Sequence, residues 1–162
     1  MALTSGDFMK PAYTFWSGSF PMLRCYEGAS LNVRQGTPLI SDSTSGLDTA
    51  STDGAVDVIG VTLYPTANTT SKTTYVDYIP MMVGTVWEVS IIGADHATLS
   101  LGSTHLFVGG ELQRDSTYDV WGFDPSATTV DFYIIGFKDA TGTVHGRVYI
   151  TPSTSGRSVI WC

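Results

Sequence analysis

The chain has 162 residues, 8 Lys+Arg against 15 Asp+Glu, and a formal net charge of −7. That length suits one domain with one core, and its scattered cations offer no basic cluster for a nucleic-acid backbone or an anionic membrane surface. A charged fraction of only 14%, 17 glycines and abundant Ser and Thr favour short strands joined by turns over long helices.

The start, MALTSGDFMKPAY, has no charged region followed by an apolar one, so no signal peptide is read. No apolar run approaches the roughly 18 residues of a membrane span. Synthesis and folding in a cytoplasm is the expectation, and with it reduced thiols at Cys25 and Cys162. Pairing of the two, which would tie the end of the sequence down, is the alternative.

Residues 1–22 differ from the rest and are expected to form an N-terminal arm or extension. They pack Tyr13, Phe15, Trp16 and Phe20 among Pro11, Gly18 and Pro21 without sustained alternation. Two readings stand: a segment laid against its own core, or an arm whose aromatics anchor on a neighbouring subunit. The body is expected over residues 23–162. Leu31 and Val33 alternate with Asn32 and Arg34, and Gln35-Gly36-Thr37-Pro38 turns the chain into Leu39-Ile40. SDSTSGLDTASTDG then reads as a polar surface loop.

The stretch from Val56 to Ile92 carries the strongest pattern. Ile59, Val61 and Leu63 share one face of a first strand around Gly60. After a Thr/Asn/Lys loop, a second and longer apolar strand places Thr85, Trp87, Val89 and Ile91 on one face, with Glu88 and Ser90 on the other. Gly93–Ser100 has room for one helical turn. THLFV reads as a strand ended by a Gly109-Gly110 turn, and Glu111–Phe123 as a pair of short strands. Val130–Phe137, apolar on both faces, reads as a central strand covered on both sides. A turn at Asp139–Gly142 leads to a strand with Val144, Val148 and Ile150 inward and His145, Arg147 and Tyr149 outward. Turn signals every 8–12 residues between short strands mark a single all-β barrel or sandwich with little helix.

No catalytic pattern emerges. His96, His105 and His145 form no close ligand pair, and Cys-x-x-Cys is absent. Asp42–Asp48 has calcium-loop spacing but lacks the terminal glutamate, and its composition is that of an ordinary turn. Asp48 and Asp53 sit in a loop with nothing to raise a carboxylate pKa. Neither a nucleophile elbow nor a phosphate-cradling loop occurs. A non-enzyme without cofactor or metal is expected, with Trp87 and Trp121 in the core. Trp16 and Trp161 leave a carbohydrate-stacking face as an alternative.

The order of segments resembles a known family. Gly36-Thr37-Pro38-Leu39-Ile40, a variable polar loop, Ile59-Gly60-Val61, Val83-Gly84-Thr85-Val86-Trp87, Ile134-Ile135-Gly136-Phe137-Lys138-Asp139 and Arg147-Val148-Tyr149-Ile150 follow one another as in the capsid decoration (cement) proteins of tailed bacteriophages. The resemblance covers about Leu31 to Thr151. It implies a small β-barrel or sandwich that binds the outside of the mature shell and contacts the major capsid protein. It also implies a homotrimer at three-fold or quasi-three-fold positions, with no catalytic residues. On that reading Tyr13, Phe15, Trp16 and Phe20 are the capsid- or subunit-contacting residues. A receptor-binding appendage or a tail subunit is the remaining alternative.

Overall fold

The computed structural model describes residues 9–14, 19–26, 32–42, 46–50, 58–67, 75–94, 97–115 and 120–153. Their secondary structure is almost entirely strand: β1 (Lys10–Thr14), β2 (Leu23–Tyr26), β3 (Asn32–Val33), β4 (Pro38–Asp42), β5 (Gly46–Thr49), β6 (Val58–Thr62), β7 (Thr66–Ala67), β8 (Tyr75–Pro80), β9 (Thr85–Ile91), β10 (Gly109–Asp115), β11 (Val120–Asp124), β12 (Phe132–Phe137) and β13 (Arg147–Pro152). The expected all-β class is what the chain forms.

The larger sheet runs β1-β9-β11-β10-β12-β13, and β13 pairs back onto β9. The strands β9, β11, β10, β12 and β13 therefore close into a five-stranded barrel, which leaves them no open edge. Strand β9 is the hub. One of its edges carries β13; the other carries β1 against Thr85–Glu88 and then β11 against Ser90 and Ile91, the latter pair parallel. A second antiparallel sheet, β2-β8-β6-β4-β5, coils until its edge strands β2 and β5 approach each other. A short pair, β3 with β7, stands beside them.

Period-two alternation builds the main core. Trp87, Val89 and Ile91 of β9, Val148 and Ile150 of β13, and Phe123, Phe132 and Leu112 of the neighbouring strands fill the barrel. The same cluster continues into Val58, Val61, Ile79 and Met81, so the second sheet packs on the barrel through one apolar mass. A smaller core of Cys25, Leu39, Leu47, Val76 and Tyr78 lies on that sheet's other face. Gly110 is where the barrel is tightest: a Cβ there would stand 2.0 Å from the Asp124 carbonyl oxygen and 2.8 Å from the Phe123 ring.

Several expectations change. The long strand ahead of Ile92 is two strands in different sheets, because Gly84, at φ 90°, turns the chain between β8 and β9. Ile59 packs with the smaller core while Val61 and Leu63 face the main one. The register shift between Leu39 and Ile40, opposite β6, lies at this change of face. The polar loop after Ile40 contains β5, whose Leu47 is buried in the smaller core. THLFV is a 3-10 turn over Ser103–His105 followed by a bend, and Gly109-Gly110 begins β10 instead of ending a strand. Strand β12 is covered on its Phe132 and Ile134 face only, leaving Tyr133 exposed.

Residues 1–22 are expected to form an arm or extension laid either on its own core or on a neighbouring subunit, and their described part packs on the barrel. Met9 is buried in the main core, β1 pairs with β9, and Phe20 packs against that core.

Candidate interaction surface

Of the four aromatics expected to contact the capsid or other subunits, Phe20 is the one whose side chain lies among the described residues. Phe20 is half-buried, its ring 5.7 Å from that of Trp87 and tilted by 55°. Within the chain it packs on the main core, where its ring meets that of Trp87 and both withdraw apolar surface from water. The backbone of Tyr13 lies in β1 opposite Val86, just past a register shift after Pro11. Phe15 and Trp16 lie outside the described residues. Trp87 and Trp121 are core residues, as expected.

Charge holds β1 in place. Glu88 points away from the barrel interior, as its alternation with Trp87 requires, yet it is only 5% exposed. Lys138 reaches it at 2.5 Å, Lys10 of β1 at 3.1 Å and Arg147 of β13 at 3.4 Å. Burial pushes the Glu88 carboxyl up, but the hydrogen bonds and charges of Lys138 and Lys10 more than reverse this and leave it below its ordinary value. Arg147 also forks onto Asp139, with two bonds of 2.9 Å to the carboxylate. Those bonds hold Asp139 below its ordinary value.

The surface feature that alternation did not reveal is the bend from Leu106 to Val108. Phe107 is 71% exposed and adopts φ 63°, in the left-handed region that costs a residue with a Cβ roughly 1–2 kcal/mol. Hydrogen bonds over-determine that conformation. Phe107 donates its N–H to the Ile134 carbonyl, and Ile134 donates to the Val108 carbonyl. Val108 donates to His105, whose ring Nδ1 accepts from Gly102 N–H at 3.1 Å. The ring is thus fixed at its base and open to solvent. Leu106 and Tyr133 are exposed beside it, Tyr133 lying opposite Gly109 in the β10–β12 pairing. A strained, exposed apolar residue held by such a bond network makes this bend the candidate contact surface.

A second exposed group lies on the outer face of β2 and β8. Tyr26 and Tyr75 face each other across the strands with ring centroids 4.3 Å apart and hydroxyls hydrogen-bonded at 2.5 Å. In the next register position Arg24 grips Asp77 with two bonds, of 2.6 and 2.9 Å.

The expected chemical groups stay apart. His105 caps its own turn, His145 meets the Ile91 carbonyl through Nδ1 at 3.0 Å, and His96 lies outside the described residues. Among the described residues no group of three or more His, Cys, Asp or Glu is placed to hold a metal ion. Of the calcium-spaced stretch, Asp48 accepts from the N–H of Thr49, and residues 43–45 lie outside the described residues. Cys25 departs from the reduced state expected of it: it is disulfide-bonded. No helix among the described residues is long and apolar enough to cross a membrane.

Comparison with protein-family models, with curated proteins and with solved structures finds no match.

Proposed function

We propose that this chain is a non-catalytic structural protein of a tailed-bacteriophage virion, bound to the outer surface of the mature capsid as a trimer at three-fold or quasi-three-fold sites. The observation that carries the reading is the segment order, which resembles that of capsid decoration proteins. Its elements fall on β4, β6, β9, β12 and β13, strands paired with one another within the two sheets. The physical role is linkage: a protein that binds only the expanded shell stabilises that form by mass action, and many copies add up. The surface best suited to the contact is the Phe107 bend with Leu106 and Tyr133, since a fixed, exposed aromatic loses little freedom on docking.

The test mixes purified protein with expanded capsids that lack it and looks for stoichiometric, symmetric density. Failure to bind any form of the cognate shell ends the reading. Phe107→Asn isolates the surface, because Asn tolerates the left-handed conformation while the ring is lost. Its melting temperature is expected to hold or rise, and its capsid affinity to fall at least about ten-fold, roughly the loss of one modest anchor. Unchanged affinity would move the contact elsewhere on the molecule.

The Tyr26–Tyr75 pair beside Arg24–Asp77 favours one other reading, a glycan-binding virion appendage, since ring faces and a planar charged pair suit sugar recognition. A glycan array decides between them: capsid decoration needs no sugar affinity.

A further inference from the structure

Two carboxylates stand side by side on the outer wall of the barrel. Glu111 of β10 and Asp124 of β11 are direct partners in the antiparallel register, a position where like charges repel. Asp124 is only 1% exposed. Among the described residues its carboxylate meets neutral groups alone. Ser126 donates its N–H and its hydroxyl to Oδ1 at 2.8 and 2.6 Å, and Gln113 donates Nε2 to Oδ2 at 2.9 Å. A buried carboxylate set opposite a second one is costly unless a positive charge is shared between them.

Gln113 supplies the second observation. It follows Glu111 by two residues on the same face of β10, is 9% exposed, and brings its Nε2 to 3.5 Å from Glu111 Oε1 as well. The amide nitrogen thus lies within reach of both carboxylates. The amide oxygen, Oε1, is buried and has no hydrogen-bond partner among the described residues. A half-turn of the amide exchanges its oxygen and nitrogen at nearly constant volume. Oε1 would then stand about where Nε2 does, 2.9 Å from Asp124 Oδ2 and 3.5 Å from Glu111 Oε1. Such separations are edges of the oxygen shell of a calcium ion, whose ligands lie at about 2.3–2.6 Å. Without an ion the three oxygens would repel one another, which accounts for the direction the amide takes.

We propose that Glu111, Gln113 and Asp124 form a divalent-cation site of the calcium class, in which the Gln113 amide turns from donor to ligand. In the cation-free protein its N–H groups face the carboxylates. With calcium bound, Gln113 Oε1, Asp124 Oδ2 and Glu111 Oε1 face the ion and water completes the shell. Asp124 Oδ1 keeps its bonds to Ser126 in both forms and holds the carboxylate in place. Glu111 is partly exposed and gives the ion its way in. Calcium is favoured over magnesium, whose octahedral ligands at about 2.1 Å stand only about 3 Å apart. Two carboxylates and one amide set the affinity at the weak end of calcium sites. The site does not depend on what the exposed aromatics bind.

The experiment uses the whole chain, freed of metal with a chelator, and calcium chloride as the probe, with magnesium chloride at equal ionic strength as the comparison. Calorimetric titration is expected to show one calcium per chain with a Kd of about 0.1–1 mM. Calcium at about 10 mM is expected to raise the melting temperature by about 5 °C, and magnesium by less than half as much. Glu111→Gln is expected to weaken calcium binding at least about ten-fold. Gln113→Glu is expected to melt lower than wild type in chelator and to bind calcium more tightly, so calcium raises its melting temperature further. A merely structural Gln113 would give the loss without that recovery. No saturable heat, equal shifts with both salts, or unchanged calcium affinity in Glu111→Gln would each overturn the site and leave a buried water as the partner of Oε1. The wild-type titration needs no substitution, so misfolding of a variant would leave the test intact.

Discussion

Glu88 concentrates the electrostatics of the barrel wall at one residue. Its carboxylate is nearly buried and serves three cations from three separate segments. Replacing it by Gln leaves Lys138 and Arg147 facing an uncharged group, and Glu88→Gln is expected to cost about 2 kcal/mol at pH 7. The pH dependence follows from sign. Glu88 and Asp139 both lie below their ordinary values of 4.5 and 3.8. A depressed carboxylate gives its full stabilisation above its unfolded pKa and loses it as pH falls through the folded one. Stability should therefore decline on acidification below those values, and the difference between wild type and Glu88→Gln should shrink there. Thermal melts of both proteins from pH 3 to 8 read this directly; a constant difference across the range would mean that Glu88 acts through shape alone. The Arg24–Asp77 pair, though well formed, is exposed and adds little.

At the scale of elements, β1 and the chain that follows it are bound to the barrel by a few contacts. Met9 is buried, Lys10 meets Glu88, and Phe20 lies on Trp87, while the barrel closes without β1. Phe20→Ala should lower stability by about 2 kcal/mol, less than a fully buried Phe because the ring is half exposed. Denaturant unfolding measures it, and a neutral result would return Phe20 to the list of partner contacts. What the sequence revealed at this scale follows from period two. The faces of β9 and β13, the core position of Trp87, the β10–β11 hairpin and the turn at Gly142 are all set by local alternation or local turn chemistry. What stayed hidden depends on distant neighbours. An apolar run does not tell whether a second layer covers it, so β12 read as a two-sided strand and Tyr133 was missed. The Phe107 bend was missed for the same reason. Thr-His-Leu-Phe-Val has good strand propensity, and only the bonds to Ile134, far along the chain, fix its left-handed turn. Leu47 was lost in a stretch of Ser, Thr and Asp because its burial is set by β4 and the coil of the second sheet.

On the scale of the whole molecule, the main core crosses the boundary between barrel and second sheet. Val58, Val61, Ile79 and Met81 belong to the same cluster as Trp87 and Phe123, so neither sheet can open without exposing apolar surface of the other. The protein should unfold in one transition, with calorimetric and van't Hoff enthalpies equal. Two separated heat-absorption peaks would show that the smaller core holds its sheet alone. Cooperativity of this kind also suits a body that docks as a rigid unit, since a contact on the barrel is then supported by the whole fold.

Strand β9 is buried along all seven residues, with β13 on one edge and β1 followed by β11 on the other. A strand with neither a free face nor a free edge has no position where a substitution can drift unnoticed. Related chains should therefore diverge last at Thr85–Ile91 and first at the bend around Phe107, where a few exposed side chains can change while the hub is left alone.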